Sequence, residues 1–137
     1  EEQIKSLSPY VHILGAIPQT EIPRVQQEAD LLLFAEALNG ENANIARLSF
    51  STKLTDYFRS GKCIFAVGNM DTAPMEYLKD EDAALLSANK EEIVQTLSTL
   101  TDNLSLVDCY SEKAYNCGKK NHDIKVIQET LFQTLNK

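Results

Sequence analysis

Short apolar runs alternating with amphipathic segments predict an α/β domain: a Rossmann-like parallel sheet of about four strands with flanking helices. Three observations carry that prediction. Residues 10–17, Leu31–Ala35 and Cys63–Val67 are apolar stretches of strand length, and residues 83–86 form a shorter one. Between them, apolar residues recur at helical spacing. The 137 residues, 43% of them hydrophobic, suffice for one sizeable core but not two, so residues 1–137 read as a single domain.

The elements follow in chain order. YVHILGAI, residues 10–17, reads as a buried strand ending near Gly15. Thr20 is placed to cap a helix with Pro23 in its first turn, where a missing N–H costs little. Ile22, Val25 and Ala29 share one face of that helix. LLLFA at Leu31–Ala35 is uninterrupted, as a strand covered on both faces would be. Residues 39–51 form a polar, Asn-rich connection. A helix is expected from about Thr52, with Leu54, Tyr57 and Phe58 on one face and Gly61 ending it as a left-handed cap. CIFAV at Cys63–Val67 is the third strand. Residues 75–79 suit a short helix with Pro74 near its first turn, and residues 83–86 a short fourth strand. Asn89-Lys90-Glu91-Glu92 resembles a capping box, with Asn in place of Ser/Thr, ahead of an Ile93, Leu97, Leu100 stripe. The last helix is expected from about Asp123, with Ile124, Ile127, Leu131 and Leu135 facing inward.

The net charge of -7 argues against a general nucleic-acid footprint. Residues 113–137 run against this trend, with five lysines opposing Asp123 and Glu129. Such a basic tail offers either a contact for anionic lipid or a partner, or simply a solvated helix face. No apolar run is long enough to span a bilayer. The chain opens Glu1-Glu2 without Met or a leader pattern, as a piece of a longer protein would. Three cysteines, Cys63, Cys109 and Cys117, lack metal-type spacing and argue against a disulfide scaffold. Cys63 reads as a core thiol, and the set fits a reducing, cytoplasmic setting.

In open α/β sheets ligands bind beyond the carboxyl ends of the strands. That rule selects the turns after Ile17, Ala35 and Val67. The longest, after Ala35, brings Phe50, Ser51 and Thr52 to a helix start with Lys53 in its first turn. Free amides and the helix dipole make such a start an anion site, and a lysine adds a point charge for phosphate. Ordinary Ser/Thr capping beside a solvated lysine is the alternative reading.

The stretch from Ser51-Thr52-Lys53-Leu54-Thr55-Asp56-Tyr57-Phe58 through Arg59-Ser60-Gly61-Lys62 to Cys63-Ile64-Phe65-Ala66-Val67 resembles the donor-binding signature of group-1 glycosyltransferases, retaining enzymes of the GT-B fold. Upstream, Val11-His12-Ile13-Leu14-Gly15-Ala16-Ile17-Pro18 is similar to the family's "V-x-F-L-G-x-V-P". Gln27-Glu28-Ala29-Asp30-Leu31-Leu32-Leu33 is similar to its "A-D" segment, and Asn121-His122-Asp123 to its C-terminal closure. The resemblance implies a partial GT-B C-terminal domain that binds a nucleotide-sugar donor for transfer of the sugar to an acceptor. It implies that Asp56 holds the ribose hydroxyls, that the amides of Phe50, Ser51 and Thr52 with Lys53 hold the pyrophosphate, and that Gly15, Ala16 and Ile17 border the base. It further implies that no metal or other cofactor is needed. The catalytic residues and the acceptor site would lie in a missing N-terminal domain, so this stretch alone would be inactive. Peripheral membrane contact of the whole protein and the absence of nucleic-acid partners complete the expectation.

The chain departs from the pattern at two places. Eight residues before Asp56 stands Leu48, where many members carry an acid; Glu36 and Glu41 are nearby at other spacings. Cys63 replaces the usual proline. A sugar-nucleotide 2-epimerase of the same fold and a non-catalytic α/β binding domain remain as alternatives. A receiver-like module of the latter kind would need acids that Ile17-Pro18-Gln19 lacks. Asp80-Glu81-Asp82 reads as a solvated charge cluster, His12 as a core or edge-strand residue and His122 as a helix cap. In the family's strand order, the neighbours of residues 10–17 and of Leu31–Ala35 would both be absent. The two segments are therefore expected to pair directly, side by side in a four-stranded sheet.

Overall fold

The computed structural model describes residues 9–38 and 49–136. The described elements are α1 (Ile22–Glu28), β1 (Leu31–Ala35), α2 (Lys53–Ser60), β2 (Cys63–Val67), α3 (Ala73–Asp80), β3 (Leu85–Ser87), α4 (Lys90–Asp102), α5 (Ser105–Asn121) and α6 (Ile124–Leu135). The strands form a parallel sheet in the order β1-β2-β3. Leu31 pairs with Cys63, and Phe65 with Leu85. Helices join successive parallel strands, as parallel pairing requires.

The core lies where β2 meets its helices. Cys63, Ile64, Phe65 and Ala66 are all buried, and Leu54, Phe58, Met75 and Leu78 close over them. Helix α2 runs as expected from Lys53 and ends at Gly61, whose φ of 66° and ψ of 24° place it in the left-handed region. Asn89 caps α4: its Oδ1 accepts from the Glu92 N–H at 2.9 Å. The Glu92 carboxylate reaches back to the Ala88 N–H at 2.7 Å rather than to that of Asn89.

Several expectations are corrected. Among the described residues the sheet has three strands, not four. Residues 10–17 form no strand and do not pair with β1. Val11, Ile13 and Leu14 are exposed, and Gly15 turns the backbone at a φ of 74°. A strand needs both a ladder partner and a covered face, and this segment has neither among the described residues. Part of the demand at the β1 edge is met instead from within: Tyr57 Oη donates to the Leu33 carbonyl at 3.3 Å. β1 is accordingly covered on one face only, with Leu32 and Phe34 buried and Leu33 exposed. His12 is exposed and outside any strand.

The first helix begins later than predicted. Residues Gln19–Glu21 make a 3-10 turn, so Thr20 caps nothing and Glu21 is the N-cap. The last helix does start at Asp123, which accepts from the Lys125 N–H at 2.9 Å. Its apolar residues, however, do not face inward: Ile124, Ile127, Leu131 and Leu135 are all exposed. Glu81 and Asp82 are not merely solvated, because they pair with Lys120 and Lys113 and tie α5 to the α3–β3 connection. Two lysines of the basic tail are thereby bound to the acidic body. The expectations for the Asn-rich connection over residues 39–48, with Glu41 and Leu48, and for Glu1, Glu2 and Lys137 lie outside the described residues.

Among the described residues no helix is long and apolar enough to cross a membrane. Cys63 and Cys117 are buried and Cys109 is exposed. Burial pushes the Cys63 thiol up to about 11 and raises that of Cys117, which keeps both protonated and unreactive. Brief treatment with N-ethylmaleimide should therefore modify Cys109 in the native protein, and all three thiols only after unfolding. Mass mapping of the adducts checks this; rapid native modification of Cys63 would contradict the burial.

Candidate functional site

The carboxyl ends of the strands come together at Glu36, Gly68 and Ser87. The Glu36 N–H donates to the Val67 carbonyl at 2.8 Å, and the Gly68 N–H to that of Ser87 at 3.1 Å. A Cβ on Gly68 would lie 2.9 Å from Glu36 Cβ and 3.3 Å from Met75 Cγ, so the chain leaves β2 through a passage that fits only glycine. Asn69 shapes the turn beyond: its Oδ1 accepts from the Asp71 N–H at 3.0 Å, and its carbonyl from Thr72 Oγ1 at 2.8 Å.

The turn into α2 stands on the same side as these strand ends, because α2 leads from the end of β1 back to the start of β2. Thr52 occupies the N-cap position with helical dihedrals and makes no side-chain cap. The Leu54 N–H donates to the Ser51 carbonyl at 3.2 Å, and the Thr55 N–H to that of Thr52 at 3.2 Å. The Ser/Thr capping of the alternative reading is therefore absent, which leaves the hydroxyl of Thr52 uncommitted to the helix end. Lys53 and Asp56, both in the first turn, are exposed. Neither makes a side-chain hydrogen bond or ion pair among the described residues.

Asp56 lines a cavity of about 290 Å³ between the start of α1 and α2. Gln19, Ile22, Pro23 and Gln26 form one wall; Asp56, Arg59 and Ser60 form the other. Gln19 follows Ile17 by two residues, so the segment singled out for the base leads directly into this wall. Gly15, Ala16, Ile17, Lys53 and the turn residues Phe50, Ser51 and Thr52 are not among its lining. Gly15 and Ala16 are exposed, and Ile17 is half-buried. The two helices are tied beside this cavity by Gln27 Nε2, which donates to the Ser60 carbonyl at 2.6 Å.

Phe50 belongs to a second assembly that sequence reasoning missed. Its ring meets Tyr77 edge-on at 5.2 Å and stacks with His122 at 6.1 Å. His122 stacks in turn on Phe58 at 5.1 Å. Tyr77 Oη lies 2.8 Å from His122 Nε2 and 3.3 Å from Cys117 Sγ, and accepts from Asn121 Nδ2 at 3.0 Å. Burial lowers the His122 pKa, with the Glu81 carboxylate opposing the shift, and raises that of Tyr77. Neutral rings therefore prevail in this cluster at neutral pH. Asp123, not His122, does the helix capping that the sequence position suggested. No local signal could have paired Tyr77 with His122 across 45 positions.

Below this cluster, a cavity of about 380 Å³ is lined by Phe58, Arg59, Lys119, His122 and Asp123, among others. Among the described residues no group of three or more His, Cys, Asp or Glu side chains is arranged to hold a metal ion. The fold and these sites define an α/β domain with a three-stranded parallel sheet. Comparison with protein-family models, with curated proteins and with solved structures gave no match.

Proposed function

We propose that this chain is the nucleotide-sugar-binding part of a glycosyltransferase, acting in the transfer of a sugar from its nucleotide carrier to an acceptor. One observation carries the reading: the carboxylate of Asp56, without a partner among the described residues, shares a cavity with Gln19 and Ile22, immediately after the Gly15, Ala16 and Ile17 segment. An ionised carboxylate accepts two hydrogen bonds at once, which suits the vicinal hydroxyls of a ribose. The uncapped start of α2, with Lys53 in its first turn, supplies amides and a positive charge for the pyrophosphate. The Gly15, Ala16 and Ile17 segment borders the base. In the group-1 family that the sequence resembles, the acceptor and the catalytic base come from an N-terminal domain. On this reading the chain binds its donor without turning it over, with a cytoplasmic supply of sugar nucleotide and no metal in the donor site.

Calorimetric titration of the chain with UDP- and GDP-sugars, with and without EDTA, tests the proposal. Binding of one of these donors, unaffected by EDTA, is the expected result. Asp56→Ala should weaken it by about 1–3 kcal/mol, the cost of leaving polar partners unmet. The urea midpoint should hardly move, because an exposed acid outside the core contributes little to folding. Equal affinity in Asp56→Ala, or a loss of stability without a loss of binding, would remove Asp56 from the site. Failure to bind any sugar nucleotide would favour a non-catalytic domain of another specificity.

A further inference from the structure

Helix α2 begins without a side-chain cap, and an uncapped end frays unless something else holds it. The candidate holder is the ring of Phe50, two residues before Thr52. Phe50, 39% exposed, is contacted from two directions by residues distant in sequence, Tyr77 on α3 and His122 after α5. The His122 ring has its own restraints: it stacks on Phe58 and hydrogen-bonds to Tyr77 Oη at 2.8 Å. Tyr77 is restrained in turn by Asn121 and Cys117. Each member of the cluster is thus held by another, and Phe50 is the member that belongs to the turn.

We propose that Tyr77 and His122 are positioning residues that clamp Phe50 and so hold the turn into α2 in the conformation that presents its amides. This rests on the reading of that turn as the pyrophosphate cradle. A cradle of amides binds an anion well only if it is organised before the ligand arrives. Here the organisation comes from an aromatic contact made by the far end of the chain, in place of a local cap. The clamp therefore makes the packing of α5 a determinant of donor affinity, although α5 is remote in sequence from the turn.

Hydrogen exchange on the whole chain, read without nucleotide, tests the clamp. The probes are the Leu54 and Thr55 amides, which bond to Ser51 and Thr52, with the Ile64 and Ala66 amides of β2 as the internal reference. In His122→Ala, Leu54 and Thr55 should exchange about three- to tenfold faster, the worth of one aromatic pair, while β2 stays unchanged. His122→Phe keeps a stacking ring and should restore slow exchange. Unchanged exchange at Leu54 and Thr55 in His122→Ala, no recovery in His122→Phe, or an equal acceleration in β2 would each overturn the clamp. Because the readout needs no ligand, failure of sugar-nucleotide titration would overturn the site reading and leave the clamp to be judged on exchange alone.

Discussion

Gly118→Val should destabilise the domain by about 3 kcal/mol, at the upper end of the usual range for overpacking. Gly118 is buried on α5 against α2, and a Cβ there would lie 2.7 Å from Phe58 Cβ and 3.4 Å from the Phe58 carbonyl carbon. These are main-chain-proximal atoms, so no rotamer change relieves the overlap, and the helices must separate. Gly118→Ala sharpens the test. On an exposed helix face that change would stabilise by about 1 kcal/mol; here the clash should outweigh it and leave a net loss. Phe58→Ala in the same chain should not rescue Gly118→Ala, because alanine keeps the Cβ that causes the overlap. Urea unfolding followed by circular dichroism measures all of these. An unchanged or raised midpoint in Gly118→Ala would show that α2 and α5 separate at little cost.

Phe58→Ala should be the most damaging single truncation, at about 3–5 kcal/mol. Phe58 is fully buried and touches the cluster formed by Leu54, Ile64, Met75 and Ala114. In a domain whose total stability is on the order of 5–15 kcal/mol, a loss of this size leaves a substantial unfolded fraction on mild heating. The same variant has a second readout. His122 loses the ring on one of its faces, water reaches the imidazole, and its pKa should rise toward the usual 6.5. In the native protein His122 titrates below its unfolded value. Its contribution to stability is therefore complete above pH about 6.5 and is lost as the pH falls through the folded pKa. The variant should show a shallower acid limb. NMR titration of the His122 ring and the urea midpoint at several pH values measure these two effects. An unchanged His122 pKa in folded Phe58→Ala would show that Phe58 does not shield it.

Several local signals were legible in the chain where a residue's role depends on its near neighbours, although Thr20 and His122 do not cap the helices they precede. Gly61 ends α2 because a left-handed residue is needed there. Asn89 caps α4 because its partner is only three positions away. CIFAV became the central strand, buried from Cys63 to Ala66, because an uninterrupted apolar run is stable only when covered on both faces. The same reasoning overreached at Leu31–Ala35, whose outer face stayed open, because strand length and apolarity do not say which neighbours exist.

Helix α5 shows the opposite failure. It is the longest described helix, yet no apolar stripe announced it. Its buried positions are Ala114, Cys117 and Gly118, small residues chosen for close approach to Phe58 rather than for hydrophobic area. Helix α6 has the stripe but little beneath it. Its amphipathic spacing states that a face wants cover and says nothing of what supplies it. Residues 10–17 have strand composition and no ladder, because a strand is a property of two segments rather than one.

The candidate site divides along the same line. The acid at Asp56, the lysine at Lys53 and the helix start between Thr52 and Gly61 were readable from the sequence, since spacing within one helix turn follows from the chain alone. That Asp56 would face Gln19 and Ile22, and that Phe50 would be held by Tyr77 and His122, followed only from tertiary packing. The physical reason is common to both: local hydrogen bonds and backbone geometry are encoded over three to five residues, whereas burial and side-chain partnership depend on which surfaces the folded chain brings within contact distance.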